Sequence, residues 1–143
     1  MAGRFDGAVA IITGGAGGLG IAIAEAIGAE GGSVAIFDTN ADAVNAGVAH
    51  LKEKGLRAAG FTADVRSADQ VQAAVSATAA ELGAPTILIA AAGGSLGTPR
   101  DLADITPEDL DLVIDVNIKG IADCRAAARA ASRGSRRRWW PDR

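Results

Sequence analysis

The strongest constraint on this chain is a glycine-rich segment near its N-terminus, with glycines at positions 14, 15, 17, 18 and 20. Before it, residues 8–13 form a continuous apolar run, typical of a strand buried on both faces of a parallel sheet. After it, Leu19, Ile23 and Ile27 recur every four residues, which predicts a helix with one apolar face. A strand, a glycine turn and a helix in immediate succession allow backbone amides to approach a bound pyrophosphate.

The glycines fit two patterns at once, G-x-G-x-x-G from residue 15 and T-G-x-x-x-G-x-G from residue 13. In both patterns Gly20 lets the helix pack closely against the strand, while the earlier glycines make the turn. The dinucleotide-binding pattern also requires an acidic residue about 20 positions further on, and Asp38 lies 18 residues beyond Gly20. A plain tight turn and a helix-capping role for Asp38 are the alternative interpretations.

Two other phosphate-binding motifs are excluded by single positions. A P-loop ends in Gly-Lys-Ser/Thr, but Gly20 is followed by Ile21, and the first lysine of the chain is Lys52. A kinase-type loop is followed by Val-Ala-Ile-Lys, whereas Phe37 stands at the lysine position here. The segment therefore predicts a dinucleotide site.

The rest of the chain alternates short apolar runs with helical periodicity. Further strands are predicted at 33–38, 56–64 and 86–90, and helices at 18–30, after Asn40, after Ser67 and from Thr106 to about residue 131. Four successive β-α units predict an α/β fold, a Rossmann-like doubly wound parallel sheet with helices on both faces. With only about four strands, the predicted sheet is an incomplete version of this fold. We expect one domain over residues 1–131 and a separate tail over 132–143.

Composition narrows the class of protein. Hydrophobic residues make up 49% of the chain, which favours a folded core, and no apolar run reaches the length of a membrane helix. The net charge is −3, but residues 133–143 carry five Arg and one Asp, so the remainder carries −7. An acidic body argues against a general nucleic-acid surface. We expect a cytoplasmic protein with no metal site, in which Cys124 is a packed thiol.

Several further positions resemble the short-chain dehydrogenase/reductase family, whose fingerprint after the first strand is T-G-x-x-x-G-x-G. Asp64-Val65 stands where the family has an Asp and an apolar neighbour against the adenine ring. Residues 90–93, Ala-Ala-Ala-Gly, stand where it has Asn-Asn-Ala-Gly, so two side chains that tie neighbouring strands together are missing. Asn117, in VIDVNIKG, matches the helical Asn of the family's proton relay, and a helix-surface Asn is its alternative.

The resemblance implies a cofactor and a set of residues that hold it. Asp38 would accept hydrogen bonds from the adenosine ribose and repel a 2′-phosphate, and no Arg or Lys lies in the glycine loop, so NAD is favoured over NADP. Asn117 is the only implied catalytic residue present. The implied cofactor-binding residues are Gly14, Gly17, Gly18, Leu19, Gly20, Asp38, Asp64, Val65, Ala91 and Gly93.

The resemblance also implies chemistry that the chain lacks. The family moves a substrate proton with a Tyr, a Lys four residues on and a Ser, all beyond the Asn, but this chain has no tyrosine and its last lysine is Lys119. By this resemblance we expect an NAD(P)-dependent oxidoreductase that acts on alcohol or carbonyl substrates. We expect this chain to be a truncated form without activity. A non-catalytic dinucleotide-binding remnant is the alternative.

Where the resemblance implies a further apolar strand after Ala131, the chain instead reads SRGSRRRWWPDR. We interpret this abrupt change as the product of a shifted reading frame and expect the tail to be disordered. A basic-aromatic tail that binds nucleic acid or anionic lipid, and a plain solvated tail, are the alternatives. Without later strands, the fourth strand becomes a sheet edge and the last helix exposes apolar residues, which predicts instability, homo-oligomerisation or aggregation.

Overall fold

The computed structural model describes residues 3–132, so the basic tail predicted over 132–143 lies almost wholly outside the described residues. The elements are β1 (Val9–Thr13), α1 (Gly18–Ala29), β2 (Ser33–Asp38), α2 (Ala41–Glu53), β3 (Ala58–Thr62), α3 (Ala68–Glu81), β4 (Ile87–Ala90), a 3₁₀ turn (Leu102–Asp104), α4 (Pro107–Ile114), a π-helical segment (Asp115–Lys119) and α5 (Gly120–Ser132).

The four strands form one parallel sheet in the order β3-β2-β1-β4. β1 is central and pairs with β2 on one side and with β4 on the other. The chain moves outward from β1 through β2 and β3 and then returns to the opposite side of β1. The strand order therefore reverses beside β1, at the point where open α/β sheets bind ligands. The predicted doubly wound parallel fold is confirmed.

The strands are buried because helices cover both faces of the sheet. One buried cluster joins alternate strand residues such as Ile12 and Ile36 to α1 and α2. The other joins the opposite set, including Ile11 and Phe37, to α3, α4 and α5. Side chains at successive strand positions point to opposite faces, so a strand apolar throughout fits between two helical layers.

Three helices begin at polar caps, as predicted. Asn40 accepts a hydrogen bond from the amide of Ala43 at 3.0 Å, and Thr106 forms a complete capping box with Asp109. Ser67 caps α3, but Gln70 does not reach back to it as a capping box requires. The Gln70 side chain instead accepts from the amide of Asp64 at 3.0 Å and fixes the turn after β3.

The last predicted helix is interrupted rather than continuous. Its middle five residues form a π-helical segment, in which the Gly120 amide donates to the Asp115 carbonyl. Such wider turns are frequent at functional sites. The strand edge expected from the sequence is also present, because β4 pairs with β1 alone among the described residues. None of the helices in the described range is both long and apolar enough to cross a bilayer; the cytoplasmic location stays a prediction.

Burial in the core predicts how far a leucine-to-alanine substitution lowers the free energy of unfolding, and an exposed leucine provides the matched control. Leu51 is fully buried between α2 and the sheet, whereas Leu102 is 83% exposed. We expect Leu51→Ala to lower the free energy of unfolding by about 3 kcal/mol, because it leaves a cavity. Leu102→Ala deletes the same atoms from the surface and should change it by less than about 0.5 kcal/mol. Urea unfolding followed by circular dichroism measures both, and equal losses would contradict the assignment of the core.

Candidate functional site

A cavity of about 670 Å³ lies at the carboxyl edge of the sheet, where the loops after all four strands meet. Its lining comes from every β-α connection and from the α4–π segment, so no single element makes the site. The lining residues are Gly14, Gly17, Gly18, Leu19, Gly20, Phe37, Asp38, Thr39, Ala63, Asp64, Val65, Arg66, Ala91, Ala92, Gly93, Leu96, Leu112 and Val116.

The glycine turn packs backbone against backbone more tightly than any side chain allows. A Cβ at Gly20 would lie 2.5 Å from the Gly14 carbonyl oxygen and 2.6 Å from the Cα of Gly15. Gly14 has a φ of +63° and sits against the backbone of Ala91 and Ala92, where a Cβ would be 2.9 Å from the nearest atoms. These glycines bring the start of α1, the end of β1 and the loop after β4 into direct contact.

The start of α1 faces the cavity with open space in front of it. A Cβ placed at Gly18 would meet nothing within 4 Å, in contrast to Gly20 two residues on. The N-cap is Gly17, so no side chain caps the first helical amides in this part of the chain. Those amides, with the partial positive charge of the helix terminus, form a candidate anion-binding position. Leu19, 70% exposed, lies beside it.

Asp38 ends β2 at the same edge and is joined to the glycine turn. Its Oδ2 accepts from the amide of Ala16 at 3.3 Å, and its Oδ1 accepts from the amide of Thr39 at 2.8 Å. The carboxylate is therefore positioned by two backbone amides at the border of the cavity. It does not cap α2, because that role belongs to Asn40.

Asp64, Val65 and Arg66 form a turn after β3 that closes another side of the cavity. Arg66 donates to the Asp64 carboxylate from its backbone amide and from its guanidinium. The Arg66 guanidinium holds the pKa of Asp64 below its usual value, and the Asp64 carboxylate in turn raises the pKa of Arg66. Val65 is 8% exposed and packs against Gly120, where a Cβ would lie 2.8 Å from the Val65 Cγ2.

The loop after β4 is tied to its neighbours without the two Asn side chains of the family pattern. The Thr13 hydroxyl accepts from the amide of Ala92 at 3.2 Å, which joins the ends of β1 and β4. The missing side chain of Gly14 leaves room for the backbone of Ala91 and Ala92, which a Cβ at Gly14 would meet at about 2.9 Å. A hydrogen bond from β1 therefore supplies part of the support that Asn side chains give this loop in the family pattern.

Asn117 supports the same loop from the π-helical segment. Its Oδ1 accepts from the Gly94 amide at 3.0 Å, and its Nδ2 donates to the Gly94 carbonyl at 3.1 Å and to the Val113 carbonyl at 2.9 Å. A Cβ at Gly93 would lie 2.4 Å from that Oδ1. Asn117 does not line the cavity, so in this structure it is a positioning residue, and its part in a proton relay stays a prediction.

All ten residues predicted from the sequence to hold a cofactor line this one cavity. Sequence reasoning missed other lining residues, among them Phe37 and Arg66. Phe37 lies in the strand predicted over 33–38; the residue is 1% exposed, and its ring packs edge-on against Phe61. Arg66 follows Asp64-Val65 directly, but no pattern in the sequence marks it as a lining residue.

Comparison with known proteins gives the class. A profile of the short chain dehydrogenase family matches residues 8–136. The chain therefore belongs to the short-chain dehydrogenase family, an oxidoreductase family. The matched region extends past residue 131 into the basic tail.

Particular relatives cover nearly all of this chain and about half of their own length. The chain is 40% identical to 2-dehydro-3-deoxy-L-rhamnonate dehydrogenase (NAD(+)) of a Sphingomonas strain, over 87% of this chain and 48% of the relative. NAD⁺-bound xylitol dehydrogenase is 28% identical with a TM-score of 0.84, covering 90% of this chain and 49% of that one. An NADPH-bound actinorhodin polyketide ketoreductase variant, F189W, is 28% identical with a TM-score of 0.82, covering 87% and 47%.

The two glycines at the start of α1 make a paired prediction about stability. Gly20→Ala should lower the free energy of unfolding by about 2 kcal/mol, because its Cβ would overlap backbone atoms that cannot move aside independently. Gly18→Ala should leave it unchanged or raise it by about 0.5 kcal/mol, because the Cβ enters open space and alanine favours helix. Thermal or urea unfolding of both variants provides the measurement. A Gly20→Ala variant as stable as Gly18→Ala would contradict the close packing described here.

Proposed function

We propose that residues 8–132 form the dinucleotide-binding part of an NAD-dependent oxidoreductase that acts on alcohol or carbonyl compounds. One observation carries the proposal: the uncapped start of α1 opens onto a cavity that also holds the Asp38 carboxylate. An anion-binding helix terminus and a nearby carboxylate are the two groups that a diphosphate joined to a ribose requires. When bound, the nicotinamide would supply hydride transfer.

Each proposed contact follows from groups already described. The amides after Gly17 would bind the diphosphate, and Asp38 would accept from the adenosine ribose hydroxyls. Asp64 and Val65 would contact the adenine, while the loop of Ala91 and Gly93 would lie along the remainder of the cofactor. The residues fit such a ligand, because the space in front of Gly18 is free while the neighbouring glycines are packed.

NAD is proposed over NADP, although the relatives include proteins with either cofactor. A 2′-phosphate would lie beside the Asp38 carboxylate and be repelled by it. Arg66 is the one cationic side chain among the cavity's described lining residues, and its guanidinium is engaged by Asp64. The described lining therefore offers no cationic side chain that would hold a 2′-phosphate next to Asp38.

We further propose that these 143 residues bind the cofactor without turning over a substrate. Moving the substrate proton requires an acid–base group of suitable pKa, and the chain contains no tyrosine. The chain spans about half the length of the curated relatives it matches. A dinucleotide-binding protein without catalytic activity is therefore the second candidate function. It is the one that we favour for these 143 residues.

Cofactor binding is tested by titrating NADH and NADPH into the chain under isothermal calorimetry. We expect saturable NADH binding, with NADPH bound about tenfold more weakly or worse because of Asp38. Asp38→Asn should narrow the difference between the NADH and NADPH affinities, because it removes the negative charge that repels the 2′-phosphate. Gly18→Ala should weaken NADH binding about tenfold, because its Cβ enters the diphosphate position of a still-folded protein.

Asp6→Asn is the matched control for charge, because Asp6 lies before β1 at the opposite edge of the sheet. It should leave both affinities unchanged. Absence of NADH binding by the unmodified chain would refute the proposed function. Equal effects of Asp6→Asn and Asp38→Asn would refute the role of Asp38.

The helical segment from α4 to α5 is also proposed to pair with a second copy of this chain. Leu110, Ile118 and Ile121 are 53%, 63% and 40% exposed along it. Its first part is acidic, through residues such as Glu108 and Asp111, and its last part carries basic residues including Lys119, Arg125 and Arg129. Antiparallel pairing about a two-fold axis would bury the apolar residues and bring opposite charges together.

Sedimentation velocity tests this pairing. We expect the chain to form dimers, and Ile118→Asp to leave it monomeric because a charge would be buried in the contact. Leu102→Asp, which adds the same charge at another exposed apolar position, should leave the dimer intact. A monomeric chain at its highest soluble concentration, or dimers in both variants, would contradict the proposal.

A further inference from the structure

The loop after β4 contains a leucine whose backbone conformation is unusual for its residue type. Leu96 has a φ of +55°, and within residues 3–132 it is the only residue other than glycine with a positive φ. This left-handed conformation is disfavoured for a branched apolar residue, because its Cβ approaches the following carbonyl oxygen. Backbone strain of this kind persists only where the surroundings impose it, and it is concentrated at functional sites.

A tight turn imposes the conformation of Leu96. The Thr98 amide donates to the Ser95 carbonyl at 3.0 Å, which places Leu96 and Gly97 at the two central positions of the turn. Both central residues have a positive φ, +55° and +81°, as in a type I′ turn, where Gly, Asn and Asp are the usual residues. Just before the turn, both backbone groups of Gly94 bond to the π-helical segment, which anchors the loop.

Core packing does not explain why a leucine occupies this position. Leu96 is 42% exposed and belongs to neither of the two buried clusters of the described residues. It lines the cavity instead, together with Leu112 and Val116 of the α4–π segment. Leucine at this position therefore strains the backbone and contributes little to the core, so its apolar surface is explained best by a contact with a ligand in the cavity.

The order of the strands indicates which part of a dinucleotide would reach Leu96. β2 and β3 lie on one side of β1, and β4 lies on the other side. Asp38 and Asp64, which are proposed to hold the adenosine half, follow β2 and β3, while the proposed diphosphate position lies at the end of β1. The other half of the dinucleotide would therefore extend towards the loop after β4, which contains Leu96.

We propose that Leu96 is a binding residue that packs against the nicotinamide ring, and that the turn holds it in the left-handed conformation for this contact. The inference rests on the proposed dinucleotide site and deepens it by naming the side chain that covers the nicotinamide end. Contact between leucine and the ring removes apolar surface of both from water. Glycine at this position would relax the backbone but would offer no such surface.

The contact is tested by calorimetric titration of the full chain with NADH and with ADP-ribose. ADP-ribose keeps the adenosine, the diphosphate and the second ribose of NADH but lacks the nicotinamide. We expect Leu96→Ala to weaken NADH binding about fivefold and to change ADP-ribose binding by less than about twofold, because only the apolar contact with the ring is lost. Leu96→Gly should weaken NADH binding at least as much, because it also lacks the side chain.

Thermal unfolding of the same two variants tests the strain independently of the ligand. Leu96→Gly should melt about 3 °C above Leu96→Ala, because glycine adopts a positive φ without the steric penalty that alanine keeps. Leu102→Ala is the matched control, since Leu102 is 83% exposed and lies outside the cavity lining. It should leave both affinities and the melting temperature unchanged.

Two binding results would overturn the inference. One is unchanged NADH binding by folded Leu96→Ala, and the other is an equal weakening of NADH and ADP-ribose, which would place the contact away from the nicotinamide. A Leu96→Gly variant no more stable than Leu96→Ala would also overturn it, because the leucine would then not be strained. Absence of NADH binding by the unmodified chain would instead refute the proposed function.

Discussion

The site and the fold both depend on the close approach of backbone at the carboxyl end of β1. Gly20 packs on the Gly14 carbonyl, and Gly14 packs on the backbone of the loop after β4, at distances that leave no room for a Cβ. This contact sets the position of the α1 terminus relative to the sheet. It therefore creates the candidate anion-binding position and joins it to both neighbouring strands. The cavity is thus a consequence of glycine packing rather than of any one polar residue.

Much of the fold could be predicted because its determinants are local. The apolar runs of β1 and β2 are short and uninterrupted, and caps such as Asn40 and Ser67 begin helices within a few residues of the predicted positions. The features that were missed depend on tertiary contacts. Gln70 bonds to Asp64 rather than to its own helix cap, and the π-helical segment arises where Asn117 reaches the loop at Gly94. Neither follows from periodicity.

The candidate site was predictable where the glycine pattern or a family position marks the residue, as at Gly18 and Asp38. It was not predictable where a residue enters the cavity through the path of the chain. Arg66 has no pattern of its own, yet the turn after β3 places it beside Asp64. The alanines at 90 and 91 predict a weakened loop, but Thr13 and Asn117 hydrogen-bond to its backbone. Both contacts follow from the tertiary fold, although a family position marks Asn117 itself.

The most direct test of the central claim is a crystal structure of the chain grown with NAD⁺. The account predicts diphosphate oxygens within hydrogen-bond distance of the first amides of α1 and ribose hydroxyls on the Asp38 carboxylate. Electron density for the dinucleotide at another surface, with the space before Gly18 filled only by water, would contradict it.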